Sequence, residues 1–104
     1  MALPYAARMI RHTVAFRLHH DAGSAEEQDF LAAARALADV PGVEAFEQLR
    51  QTSGKNDFTF GLSMEFADEA AYADYDAHPV HRAFVAQRWV PEVADFLEID
   101  YTPL

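Results

Sequence analysis

The chain has 104 residues, 51% hydrophobic and 24% charged, the profile of one soluble globular domain with no room for a second. A net charge of −9 with the eight Lys and Arg scattered along the sequence argues against nucleic acid, whose phosphates would be repelled. The absence of cysteine removes disulfides, thiolate nucleophiles and Cys-based metal sites and fits a cytoplasmic protein. No apolar run approaches the ~20 residues that span a membrane, so no membrane partner is expected.

Residues 1–8 read as a short N-terminal tail, too short for a signal peptide and without an apolar core of its own. The domain is expected over residues 9–104. From Ile10 to Leu18 the sequence alternates, with Ile10, His12, Val14, Phe16 and Leu18 on one face and Arg11, Thr13, Ala15 and Arg17 on the other. That period predicts a strand with one buried face, His12 on its apolar side. His19 and His20 fall in the following loop and read as an exposed pair without a role. Ser24 with Glu27 forms a capping box, and the helix it opens carries Phe30, Leu31, Ala34, Leu37 and Ala38 at helical spacing before Pro41-Gly42 ends it.

Val43–Gln51 predicts a second strand with no cleanly apolar face, joined by a Ser53–Asp57 turn to a third over Phe58–Phe66. The third is the clearest, with Phe58, Phe60, Leu62, Met64 and Phe66 on one side. A helix follows from Asp68, with Tyr72 and Tyr75 three residues apart, and must stop at His78 before Pro79. Pro79 suits a new helix start; that helix runs towards Val90, where Pro91 ends or kinks it. Asp95–Tyr101 is the last strand. The order β-α-β-β-α-β predicts a ferredoxin-like α+β fold, an antiparallel four-stranded sheet with helices on one face. The uncovered face holds Thr13, Ala15, Thr59, Gly61 and Ser63, suited to solvent or to a twin sheet in a homodimer.

His78-Pro79-Val80-His81 is the most informative tetrapeptide. Pro79 puts His78 at the N-cap and His81 at the third helical position. Each histidine has a plain structural use, as a cap or as core filling. Yet the apolar face of the first strand must meet the helices, so His12 and His81 are expected in one cavity with a tyrosine phenol beside them. A neutral imidazole, a second imidazole and a phenol suit proton transfer on a small aromatic or carbonyl molecule. A three-histidine metal site from His12, His78 and His81 is the rival. An N-cap residue and an N3 residue need not point the same way, and no HExxH motif accompanies them, so no metal is expected. With no dinucleotide or phosphate-loop fingerprint, no cofactor is expected either. The acidic residues read as a solvated surface.

These segments together resemble the stress-responsive A/B barrel (Dabb) family: Met9–Phe16, Pro41-Gly42-Val43, Phe66–Ala70 and Tyr75–Val85. The resemblance covers Met9 to Tyr101, and the HPxH segment with a strand-one histidine is its most specific part. It implies a ferredoxin-like subunit and a dimer whose sheets face one another as a barrel. A member of that family, olivetolic acid cyclase, closes a polyketide by aldol condensation. By that resemblance the catalytic residues are His81 as general base, Tyr75 as its phenol partner and His12 in support. Phe60 stands where the cyclase has a further pocket histidine, and Ala33 or a neighbouring alanine replaces a pocket tyrosine. The substrate-shaping positions therefore differ.

The expected site is a His/Tyr pocket for a small hydrophobic or aromatic molecule, lined by Phe16, Phe60, Leu62, Tyr72, Phe84 and Trp89. The reaction it suits is a cofactor-free cyclisation or isomerisation. A non-catalytic stress-related binding or structural dimer is the alternative, and a cofactor-free monooxygenase the weaker one.

Overall fold

In a computed structural model of the chain, which describes residues 8–104, the first strand, β1, spans Ile10–Leu18. The expected tail, Arg8 apart, lies outside the described residues. Burial along β1 follows the alternation of its sequence: His12, Val14, Phe16 and Leu18 are buried, and Arg11 and Arg17 are exposed. Helix α1, Ala25–Arg35, begins at the capping box, where the Glu27 amide donates to Ser24 Oγ at 3.2 Å. The Glu27 carboxylate reaches back to the Gly23 amide (3.1 Å), one residue earlier than the usual reciprocal bond, because the Ser24 amide is already bonded to the Asp21 carbonyl at 3.1 Å. A 3₁₀ turn over Ala36–Asp39 tightens the end of the helix, and Gly42 takes a φ of 91°, a conformation that favours glycine.

β2, Glu44–Arg50, runs along the sheet edge. Its two faces were not separable by sequence because a bulge breaks the alternation. Pairing with β3 shifts between Glu44 and Glu47, and Ala45 sits at φ 50°. The bulge turns Phe46 into the core, and Gln48 donates from Nε2 to the Leu31 carbonyl at 2.7 Å, tying β2 to α1. β3, Phe60–Phe66, buries Phe60, Leu62, Met64 and Phe66. It begins two residues later than expected, although the Thr59 amide still reaches the Phe16 carbonyl at 2.9 Å.

Helix α2, Glu69–Ala77, is capped by Asp68, whose Oδ1 accepts from the Ala71 amide at 2.9 Å. His78 then leaves the helical region (φ −64°, ψ 135°), as a residue before proline should, and caps α3, Pro79–Phe84. Its Nδ1 accepts from the Val80 amide at 3.1 Å. α3 widens into one π turn over Val85–Trp89, marked by the Val90 amide bonding to the Val85 carbonyl, and closes as the short α4, Val90–Glu92. The cause is Pro91, which has no amide hydrogen and whose ring would press on the preceding turn of a regular helix. β4, Val93–Tyr101, starts two residues earlier than expected, pairing Val93 with Leu18 across a register shift beside Arg17.

The sheet order is β2-β3-β1-β4 with every neighbouring pair antiparallel, a ferredoxin-like α+β fold. The core lies between this sheet and the helices. One half gathers Phe16, Phe30, Phe60 and Leu62; the other gathers Leu37, Val40, Met64, Phe66 and Tyr75.

Candidate functional site

A cavity of about 380 Å³ opens between the covered face of the sheet and α2, α3 and the π turn. β1 contributes His12 and Val14, β3 contributes Leu62 and Met64, and β4 contributes Phe96 and Glu98. The helical side supplies Tyr75, Asp76, His81, Phe84, Val85 and Trp89. A π turn forms a wall here, and such turns recur at functional sites because they aim side chains that a regular helix would not.

His81 and Tyr75 lie in contact, their ring centroids 4.4 Å apart. His81 Nδ1 stands 3.1 Å from the Asp76 backbone carbonyl. A carbonyl only accepts, so Nδ1 carries the hydrogen and Nε2 is left with no protein partner among the described residues. Pro79 explains this placement: by starting α3 at a fixed point it sets His81 back over the end of α2, where Tyr75 and Asp76 lie. Tyr75 is 2% exposed. Its hydroxyl has no protein hydrogen bond among the described residues, and none of the sealed polar atoms there lacks a partner, so this oxygen opens on the cavity. Burial, with Asp76 and Glu98 nearby, pushes the Tyr75 phenol above its ordinary range, which keeps it a hydrogen-bond donor.

His12 is buried too, with its ring centroid 6.4 Å from that of Tyr75. The β1–β4 register sets Asp100 directly opposite it, and His12 Nδ1 lies 2.6 Å from Asp100 Oδ1. Tyr72 joins them: its hydroxyl lies 2.9 Å from His12 Nδ1, donates to Asp100 Oδ2 at 2.9 Å and lies 3.2 Å from Glu98 Oε1. Burial first, then the hydrogen bond to Asp100 and the surrounding carboxylates, drives the Tyr72 phenol well above its usual range. Donor atoms of His12, Glu98 and Asp100 all lie within 4.8 Å of one another, the spacing of a cation site. The 2.6 Å contact is a direct hydrogen bond, however, and it satisfies His12 and Asp100 through each other.

The cavity walls thus bring together His12, Tyr75, His81, Leu62, Phe84 and Trp89. Three expected lining residues stand elsewhere. Phe16 and Phe60 belong to the core beneath α1, with ring contacts to one another at 5.7 Å and from Phe16 to Phe30 at 5.9 Å. Alternation put them on the correct face of the sheet but at its far end. Tyr72 sits behind His12, stacked on Phe66. His78 is the cap already described. His20, read as an exposed loop residue, is instead half-buried and bonded through Nε2 to Glu92 Oε1 at 2.7 Å. Reading the acidic residues as a solvated surface hid Asp100 and Glu98. The alternation of Phe96, Glu98 and Asp100 was visible, and pairing that strand with β1 would have set Asp100 against His12.

The stress-responsive A/B barrel domain model matches residues 10–103. The chain belongs to the stress-responsive A/B barrel domain (Dabb) family. A Dabb family protein with a ferredoxin-like fold from Mesorhizobium loti is 61% identical over 92% of this chain and 97% of its own, with a TM-score of 0.90. The hydroxynitrile lyase of Passiflora edulis shares the fold at 15% identity, covering 94% of this chain and 95% of its own, with a TM-score of 0.82. A dimeric ferredoxin-like protein of unknown function from Thermobifida fusca does so at 21% identity and a TM-score of 0.78, covering 98% of this chain and 97% of its own. No curated protein matches the chain. Among the described residues no helix is long and apolar enough to cross a membrane.

Proposed function

We propose that this Dabb protein binds a small hydrophobic or aromatic carbonyl compound in the cavity and transfers a proton on it without a cofactor, His81 acting as general base. The observation that carries the reading is the His81 ring. Its Nδ1 is tied to the Asp76 carbonyl at 3.1 Å, which leaves the Nε2 lone pair free in a mostly apolar cavity that Tyr75, in ring contact with His81, also lines. A base with a fixed tautomer next to a phenol donor can take a proton from the carbon beside a carbonyl while the phenol stabilises the oxygen. Loss of that proton begins both isomerisations and aldol-type ring closures. The hydroxynitrile lyase of the same fold supports the scaffold's suitability for chemistry at a carbonyl carbon. The cavity fits a compound of one or two rings.

The protein is proposed to work as a homodimer formed through the uncovered sheet face. Leu97, Ile99 and Tyr101 of β4 are about half exposed there, beside the small residues Thr13, Ala15, Gly61 and Ser63. The Thermobifida fusca relative, described as dimeric, supports this pairing.

The test needs no knowledge of the natural substrate. Acetophenone incubated with the protein in heavy water should exchange its methyl protons, followed by NMR. His81→Asn should slow that exchange by about a hundredfold or more while melting within a few degrees of the parent. Exchange that survives His81→Asn would remove the base. Binding of acetophenone with no exchange in the parent protein would leave a ligand-binding dimer in its place.

A further inference from the structure

The His12–Asp100–Tyr72 group is not used by the proposed base, yet it sets a hydrogen-bonded cluster behind one cavity-lining imidazole, His12. We infer that Asp100 and Tyr72 are positioning residues that hold His12 as a second proton-transferring imidazole, its Nε2 presented to the cavity. The chemical role rests on the reading of His81 given above; the positioning does not.

The geometry fixes the tautomer. Asp100 is a carboxylate and can only accept, so at 2.6 Å the hydrogen of that bond belongs to His12 Nδ1. The Tyr72 hydroxyl donates to the second Asp100 oxygen at 2.9 Å, so both oxygens of the carboxylate are held. The clamp is spread over separate elements, since His12 is on β1, Asp100 on β4 and Tyr72 on α2. Nε2 is then the ring nitrogen with no protein partner among the described residues, on a side chain that lines the cavity. Glu98, with Oε1 3.8 Å from His12 Nδ1, is the remaining charged group facing the ring.

The two imidazoles are therefore backed differently. His81 leans on a neutral carbonyl, whereas His12 leans on a carboxylate that offers a counter-charge to an imidazolium. That difference separates their roles. His81 Nε2 takes a proton from the carbon, the C–H pair forms a C=C bond, and the carbonyl pair moves to oxygen. His12 enters as the imidazolium, its Nδ1–H held on Asp100. The oxygen takes the His12 Nε2 proton; His12 is left as the neutral Nδ1–H form and His81 becomes protonated, so no proton is gained or lost overall. The substrate class this fits is an enolisable ketone or aldehyde whose proton is moved from one atom to another.

Long-range ¹H–¹⁵N NMR of the labelled protein at mildly alkaline pH reads the tautomer directly, without any substrate. His12 should be the Nδ1–H form in the parent, should shift towards Nε2–H in Asp100→Asn, whose amide can donate to Nδ1, and should keep its tautomer with a broadened signal in Tyr72→Phe. An Nε2–H form in the parent, or no change in Asp100→Asn, overturns the positioning. Loss of the Nδ1–H signal on adding equimolar Zn²⁺ alone would make the cluster a metal site and overturn it too. In the acetophenone assay, Asp100→Asn and Tyr72→Phe should lower kcat by about tenfold to a hundredfold with KM little changed. A parent protein that exchanges no protons removes the catalytic roles of His81 and His12 together, while the tautomer still decides the positioning.

Discussion

At the scale of single residues, Tyr75 separates packing from chemistry. It is 2% exposed, contacts Phe66 and His81 by its ring and leaves its hydroxyl on the cavity. Tyr75→Phe keeps the ring, so it should change the melting temperature by no more than a degree or two while weakening acetophenone binding about tenfold through the lost donor. Tyr75→Ala empties a packed site and should cost about 3–5 kcal/mol by denaturant unfolding. Equal losses in both variants would mean that the hydroxyl bonds inside the protein. The choice of Tyr75 over Tyr72 rested on the family resemblance, whereas His81 and His12 were legible in sequence because proline fixes a helix start and alternation fixes a strand face. Asp100 was not, because its bond to His12 depends on the register of strands 88 residues apart in sequence, which no local pattern states. Nor was the bulge at Ala45, where a non-glycine residue takes a positive φ against its preference.

At the scale of elements, the π turn that walls the cavity is pinned at its end by charge. Arg88 donates to Glu92 (2.6 Å) and to Asp29 of α1 (2.8 Å), and His20 of the β1–α1 loop bonds Glu92 at 2.7 Å. The Glu92 backbone also accepts from the His19 amide at 2.9 Å. Burial works to raise the Glu92 carboxyl, but the hydrogen bonds from Arg88 and His20 outweigh it and hold the group below the usual carboxylate range. A carboxyl lowered on folding adds stability that is present above its unfolded pKa, near 4.5, and is lost as pH falls through the folded value. Glu92→Gln should therefore destabilise at neutral pH by about 1 kcal/mol and flatten the loss of melting temperature between pH 5 and about pH 3. An unchanged acid limb would show that other carboxylates control it. Pro91 announced a break in this helix, but sequence did not show that the break would take the form of a π turn. Proline removes an amide and crowds the turn before it, but no local pattern states whether the helix then ends, kinks or widens.

At the scale of the whole molecule, the helices cover one face of the sheet and leave the other open, the face proposed for pairing. Sequence predicted the small residues of that open face, Thr13, Ala15, Gly61 and Ser63, but not its apolar row. Leu97, Ile99 and Tyr101 alternate with Phe96, Glu98 and Asp100, and the polar set faces the helices because His12 and Tyr72 supply its hydrogen bonds. The apolar set is thereby turned outward, with Ile99 40% and Leu97 51% exposed. The same alternation thus turns Glu98 and Asp100 towards the His12 side of the sheet and the hydrophobes towards the open face. A stable pairing buries about 800 Å² on each partner, an area that extends from the small residues of β1 onto the edge strand β4, where Thr13 pairs with Ile99 and Ala15 with Leu97. Ile99→Asp would bring a carboxylate into the proposed interface from each copy, a change that pairing through this face should not absorb. Analytical ultracentrifugation should find the parent dimeric at micromolar concentration and Ile99→Asp monomeric, with a lower melting temperature that no longer rises with protein concentration. A dimeric Ile99→Asp protein would move the interface off this face.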